Sequence, residues 1–153
     1  MASVIALLQS GLPDELMGPH GHRLHVRGDG VEAEWRFAFR ESRPLLPVWH
    51  EGVLRLARWG NRDRRGNLPP TGWTWLATVR GGGWGPFGAE LVDIPCDFAC
   101  EKGVWYRVRQ GMRGILVPGP DGPCVYMICE PATRYYRVMT KSERMPVLID
   151  EVI

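Results

Sequence analysis

The segment from residue 55 to residue 65 combines the two side-chain types that a single-stranded nucleic acid requires of its binding site. It contains five arginines and one acidic residue, Asp63, around Trp59. Guanidinium groups pair with phosphates, and an aromatic ring offers a surface on which an unpaired base can stack. A solvated loop after a strand has a similar composition, so the segment alone leaves both interpretations open.

The cysteines and histidines have spacings that do not favour a metal site. Zinc sites often contain two cysteines separated by two residues, whereas Cys96 and Cys100 are separated by three and Cys124 and Cys129 by four. We therefore expect reduced cysteines in the core. The three histidines between residues 20 and 25 lie among glycines in a predicted surface loop. The sequence predicts no metal site and no cofactor.

Short strands joined by tight turns are the elements that must position these side chains. Residues 32–40 alternate strictly, which is the pattern of a half-buried strand. One face carries Trp35, Phe37 and Phe39, and the other carries Glu34, Arg36 and Arg40. Further strands are predicted at residues 45–49, 53–57, 73–79, 89–94, 104–108, 114–117, 125–129 and 147–149. A hairpin turn is predicted at residues 118–123, and a helix within residues 3–17 is expected to begin at Pro13.

The composition indicates one globular domain rich in turns. The chain has 153 residues, of which 19 are glycine and 13 are proline, an excess that argues against a helix bundle. We predict a single α+β domain over residues 1–153, rich in β-structure, with curved, barrel-like antiparallel sheets and a few short helices. Disorder and membrane spans are not expected, and the first residues lack the features of a signal peptide, so we expect a cytoplasmic protein.

The charge balance limits how this chain can attract a polyanion. It contains 17 arginines and only 2 lysines, yet its net charge is only +2. Any attraction to nucleic acid must therefore come from a local cluster of arginines and not from the overall charge.

Several short sequence blocks occur in an order that is typical of one family. Residues 144–149 read R-M-P-V-L-I, and residues 94–101 read I-P-C-D-F-A-C-E, followed by an aromatic stretch at 105–108. Upstream, residues 43–48 and 56–60 read R-P-L-L-P-V and L-A-R-W-G. These blocks resemble the H-x-R-M-P-V-I-L, V-P-A-D-G-F-Y-E, P-x-x-P-V and L-R-W-G motifs of the SRAP family.

The SRAP (SOS-response-associated peptidase) proteins shield abasic sites in single-stranded DNA, and the resemblance covers about residues 43–150 in scattered blocks. It implies an SRAP-like fold and binding of single-stranded or abasic-site DNA. It further implies that Glu101, which is in register with the family's glutamate, moves protons. The nucleic-acid contacts that it implies are made by Arg58, Trp59, Arg80 and Arg144.

This chain departs from the family pattern at the other catalytic positions. The family has a cysteine after the initiator methionine, whose thiol and α-amine close a ring on the aldehyde of an abasic site, but this chain has Ala2. The family's histidine before the R-M-P block is replaced by Ser142, which is no general acid near neutral pH. The family's asparagine has no counterpart before Arg80. We therefore expect no thiol-dependent crosslinking.

Three functions remain compatible with this pattern. The first is non-covalent binding of single-stranded or abasic-site DNA. The second is formation of an imine between an abasic aldehyde and the α-amine of residue 2, with Glu101 moving the protons. The third is a phage- or prophage-derived interaction protein on an SRAP scaffold, with a protein partner bound through Trp73, Trp75 or Trp84. Core packing is the alternative interpretation for all three tryptophans, and it is favoured for Trp73 and Trp75, which lie two residues apart on one strand face.

Overall fold

Two β-sheets form most of the regular structure in the computed structural model, which describes residues 2–153. Helices are few and short, so the predicted β-rich α+β class with barrel-like sheets is confirmed. The strands of the first sheet are β1 (Val4–Leu8), β2 (Leu24–His25), β3 (Glu34–Ala38), β8 (Phe98–Glu101) and β9 (Val104–Arg107). They lie side by side in the order β2-β3-β1-β8-β9 and pair antiparallel throughout.

Five strands of the second sheet close into a barrel. They are β4 (Leu45–His50), β5 (Val53–Trp59), β7 (Glu90–Ile94), β10 (Met112–Val117) and β11 (Cys124–Pro131). The pairing runs from β10 through β7, β4, β5 and β11 and returns to β10, and only the β5–β11 pair is parallel. The second half of β11 extends beyond the barrel, where it pairs with β6 (Trp73–Trp75) and β12 (Arg144–Pro146).

One apolar core joins the barrel interior to the inner face of the five-stranded sheet. Ile5, Phe37 and Ala99 of that sheet belong to the same buried cluster as Leu46 and Val48 of the barrel. Burial of these apolar side chains is the main contribution that holds the two sheets together. A second buried cluster lies on the outer wall of the barrel, under the segment that contains α2 (Leu76–Arg80).

The remaining helices are α1 (Asp14–Met17) and α3 (Arg134–Thr140). Thr133 caps α3, because its side-chain oxygen accepts a hydrogen bond from the backbone nitrogen of Tyr136 at 3.2 Å. With seven residues, α3 is the longest α-helix of residues 2–153, and none of the described helices has the length and apolar character of a membrane span. Short 3-10 helices occupy Gln9–Gly11, Gly18–Arg23 and Gly85–Phe87.

Most of the strand predictions are confirmed, and four local predictions differ from the structure. The 73–79 window is a strand only to Trp75, after which α2 begins, and the last strand lies at Arg144–Pro146 rather than at 147–149. The helix predicted from Pro13 is present as α1, but Val4–Leu8 of the same window is a strand. The histidine segment was expected to be a loop that enters a strand; the strand is present as β2, but the residues before it form the 3-10 helix Gly18–Arg23.

The prediction of free, buried cysteines is confirmed, and so is the hairpin at 118–123, which joins β10 to β11.

Candidate nucleic-acid interface

The second half of β11 brings an arginine and a tryptophan together across the strand. In the paired strands Trp75 lies opposite Cys129, and Arg144 lies opposite Pro131. Opposed residues share a face of the sheet, as do residues two apart on one strand, so Trp75, Cys129 and Arg144 lie on the same face. The Arg144 guanidinium carbon lies 4.3 Å from the centroid of the Trp75 ring, within the distance of a cation–π contact.

Two further aromatic rings continue this contact into a row. Trp73 lies two residues before Trp75 and therefore on the same face of β6. The ring centroid of Trp73 is 4.6 Å from that of Phe39, and the Arg62 guanidinium carbon is 4.8 Å from the Phe39 centroid. We call Arg62, Phe39, Trp73, Trp75 and Arg144 the aromatic row. Its three rings are all partly exposed, and an arginine lies at each end.

The start of β1 is attached to this row. The Nε1 of Trp73 donates a hydrogen bond of 3.0 Å to the carbonyl oxygen of Ala2, which is fully buried. The backbone nitrogen of Ser3 donates to the carbonyl of Cys100 at 3.0 Å, and Val4 lies opposite Cys100. Continuing this register by one residue places Ser3 opposite Glu101, so residue 2 and Glu101 lie at the same end of adjacent strands.

Ser142 and Arg144 approach the same end of the molecule. The Oγ of Ser142 donates a hydrogen bond of 3.0 Å to the Arg144 carbonyl, and the Nζ of Lys102 donates one of 2.8 Å to the Lys141 carbonyl. The second bond ties the end of β8 to the segment that precedes β12. The structure thus brings together four of the seven predicted site residues, namely Ala2, Glu101, Ser142 and Arg144.

A pair of tyrosines, Tyr136 buried and Tyr106 partly buried, lies close to Glu101. The hydroxyl groups of Tyr106 and Tyr136 are 2.9 Å apart, and burial raises the pKa of both side chains. The negative charge of Glu101 raises the pKa of each tyrosine further. Both tyrosines are therefore neutral at physiological pH, and the Glu101 carboxylate, itself buried, lies in a region of low dielectric constant.

The predicted contact of Trp59 with a base is wrong. Trp59 is only 1% exposed, its Nε1 donates to the Gly72 carbonyl at 3.0 Å, and its ring packs edge-on against Phe39 and Trp73. The accessible aromatic surface that was expected from Trp59 is provided instead by Phe39, Trp73 and Trp75.

Arg58 and Arg80 are not members of the aromatic row. Arg58 neighbours Trp59 on β5, so its side chain lies on the opposite face of the barrel wall, where its Nη1 is 3.8 Å from a carboxylate oxygen of Asp121. Arg80 is exposed at the end of α2, which packs on the outer wall through Leu76 and Val79. Their contacts with nucleic acid remain predictions.

Of the two interpretations of Trp84, the structure supports core packing. Trp84 is 6% exposed, and its Nε1 donates to the hydroxyl of Thr74 at 2.7 Å. Because the ring is buried against Phe87 and Tyr126, it offers no anchor for a protein partner. Of the three tryptophans considered for such an interface, only Trp73 and Trp75 have rings that solvent reaches.

Comparisons with known proteins assign no relative to this chain. No protein-family model matches it, and no curated protein and no solved structure is significantly similar to it. The SRAP resemblance therefore rests on the sequence blocks alone.

Proposed function

We propose that this protein binds single-stranded DNA, including strands that contain an abasic site, at the aromatic row and without a stable covalent bond. The observation that supports the proposal is the row itself, three partly exposed rings with an arginine at each end. Aromatic rings stack unpaired bases regardless of sequence, and arginines contact the phosphates between them. Residues two apart on a strand are about 7 Å apart, a distance that an extended single strand can match between successive bases.

The alanine at residue 2 and the burial of the Cys129 thiol both favour a reversible complex over a covalent one. Residue 2 is alanine, so its side chain offers no nucleophile. Cys129 lies on the same face as the row, but it is only 1% exposed, and burial raises the pKa of its thiol despite the nearby Arg144. A buried, protonated thiol is a poor nucleophile.

Fluorescence anisotropy with a labelled single-stranded oligonucleotide tests the proposal. One set of oligonucleotides is intact and a second carries a central abasic site, and each is titrated at low and moderate salt concentration. Loss of one stacking ring in Trp75→Ala is expected to weaken binding about 5- to 150-fold, which corresponds to about 1–3 kcal/mol per stacked base. Arg144→Gln is expected to lower the salt dependence, the slope of log K against log salt, by about 0.7, because the variant neutralises one phosphate fewer.

Trp49→Ala is the matched control, because Trp49 is 46% exposed on β4 and lies outside the row. Its affinity for DNA should equal that of the unaltered protein. Equal losses in Trp49→Ala and Trp75→Ala would refute the assignment to the row. Absence of binding at low salt would refute the function. Far-UV circular dichroism of each variant excludes unfolding as the cause.

A second candidate, imine formation with an abasic aldehyde, is supported by the position of residue 2 beside Glu101. After removal of Met1, the α-amine nitrogen of residue 2 would attack the aldehyde carbon. A C–N bond forms, a proton passes to the hydroxyl of the adduct, and water leaves. Glu101 is the carboxylate on the adjacent strand that can carry this proton. Borohydride reduces the imine to a stable amine, so it should trap a protein–DNA band that Glu101→Gln weakens, and an unchanged band would exclude this role of Glu101.

A further inference from the structure

At one end of the barrel, polar side chains replace apolar ones on the inner face. Val48 is fully buried in the core and lies opposite Arg55, and His50 follows two residues later, so all three side chains are on the inner face. Glu90 lies opposite the buried Leu116 and shares that face. Where apolar side chains would close the barrel, His50, Arg55 and Glu90 instead line a cavity of about 350 Å³ that opens to solvent.

Three side chains at this opening place metal-binding atoms close together. The Nε2 of His50 contacts a carboxylate oxygen of Glu90 and lies 3.9 Å from one of Glu51. The three atoms are all within 4.8 Å of one another. Atoms bound to a common metal at about 2.0–2.2 Å are separated by about 3–4 Å, so small side-chain rotations would complete the site. The carboxylates are free to make them, because their side chains are 75% and 58% exposed.

We propose that His50, Glu51 and Glu90 bind a divalent transition-metal ion of the zinc and cobalt class at this opening of the barrel. An imidazole with two carboxylates favours these ions over magnesium and calcium, which prefer oxygen ligands alone. The Nδ1 of His50 is buried, so Nε2 is the nitrogen that faces the two carboxylates. A cation between Glu51 and Glu90 also relieves the repulsion between their negative charges.

Three protein ligands leave a tetrahedral ion one open position, as in catalytic zinc sites. His50 and Glu90 line the cavity described above, and so does Arg55. The Nε of Arg55 is buried and has no hydrogen-bond partner among residues 2–153. The cavity therefore accommodates a water molecule or a small anion beside the metal ion.

Titration of the untagged protein with zinc, in a buffer that does not chelate metals, tests this proposal. Calorimetry should give one zinc ion per chain at neutral pH, and cobalt should give the visible absorption of a tetrahedral site. His50→Ala and Glu90→Gln should each weaken zinc binding at least about tenfold, since even loss of a group that only supports a ligand costs 10- to 100-fold.

Two control variants locate the ion. His22→Ala removes a member of the histidine segment 20–25, and Glu143→Gln removes an exposed carboxylate, and neither should change zinc affinity. Zinc should raise the melting temperature of the unaltered protein and not that of His50→Ala. Zinc binding that survives His50→Ala, or that is lost in His22→Ala, would overturn the proposal, as would no binding at millimolar zinc.

Discussion

The carboxylate of Glu34 is buried between two arginines on the outer face of the five-stranded sheet. Glu34 is 1% exposed, and its oxygens accept hydrogen bonds from the Nε of Arg27 at 2.5 Å and from the Nε of Arg36 at 3.0 Å. Both guanidinium groups also lie over the Trp105 ring, at 4.2 and 5.0 Å from its centroid. Replacing Glu34 with glutamine removes the negative charge while the shape of the side chain is kept.

The cost of Glu34→Gln follows from this geometry. Removal of one partner from a fully buried ion pair typically destabilises a protein by about 3–5 kcal/mol. Here the side chains of Arg27 and Arg36 are 25% and 29% exposed, so water solvates part of the charge left behind, and glutamine retains one acceptor oxygen. We therefore expect a loss of about 2 kcal/mol in the free energy of unfolding. For a chain of this length, that loss lowers the melting temperature by about 4–8 °C.

Urea unfolding followed by tryptophan fluorescence measures this loss directly. Glu32→Gln is the matched control, because Glu32 is exposed and only accepts a hydrogen bond from the Ser10 hydroxyl at 3.1 Å. Its unfolding free energy should change by less than about 0.5 kcal/mol. If Glu34→Gln also stayed within that margin, the two arginines would not depend on the buried charge, and the reasoning would be refuted.

Three other predictions concern the backbone, the thiols and the start of the chain. Gly60 has a φ of +67°, and a Cβ at this position would lie 2.1 Å from the backbone oxygen of Thr71. Gly60→Ala should therefore lower the free energy of unfolding, measured with urea, by more than about 2 kcal/mol. Gly66→Ala is the control and should leave this free energy unchanged, because a Cβ at Gly66 meets open space. Burial raises the pKa of all four cysteine thiols in the folded state. Above the ordinary thiol pKa of about 8.5, the unfolded state therefore binds fewer protons than the folded state, and the free energy of unfolding should fall as the pH rises. Equal urea midpoints at neutral and alkaline pH would contradict this prediction. Trp73→Phe removes the donor to the Ala2 carbonyl and should lower the urea midpoint by the equivalent of about 1–3 kcal/mol, which Trp49→Phe should not do.

The strands that could be predicted from the sequence are those with a local signal. Alternation identifies β3, and apolar runs between turn residues identify most strands of the barrel. By contrast β1 lies between β3 and β8, and three of its five residues are buried. A strand covered on both faces has a continuous apolar sequence without period-two alternation, and such a run also fits a helix.

The sequence could not predict which charged and aromatic residues are buried, because their burial depends on contacts between segments that are distant along the chain. The alternation of β3 placed Glu34 on the solvent face, but Arg27 and Trp105, which cover that face, come from other parts of the chain. In the same way, nothing in the sequence distinguishes Trp59, which the core encloses, from Trp73, which stays partly exposed. Phe39 joins the row only because its ring meets Trp73 across 34 residues of chain.

In the proposed complex, binding and covalent capture would depend on separate groups, so binding does not require covalent capture. Stacking on Phe39, Trp73 and Trp75 and pairing with Arg62 and Arg144 require neither a thiol nor an amine at residue 2. A covalent adduct would outlast changes in ionic strength, but a complex held by stacking and two guanidinium groups weakens as salt rises. The proposed complex is therefore reversible, and its lifetime is set by the row and the salt concentration rather than by the chemistry of residue 2.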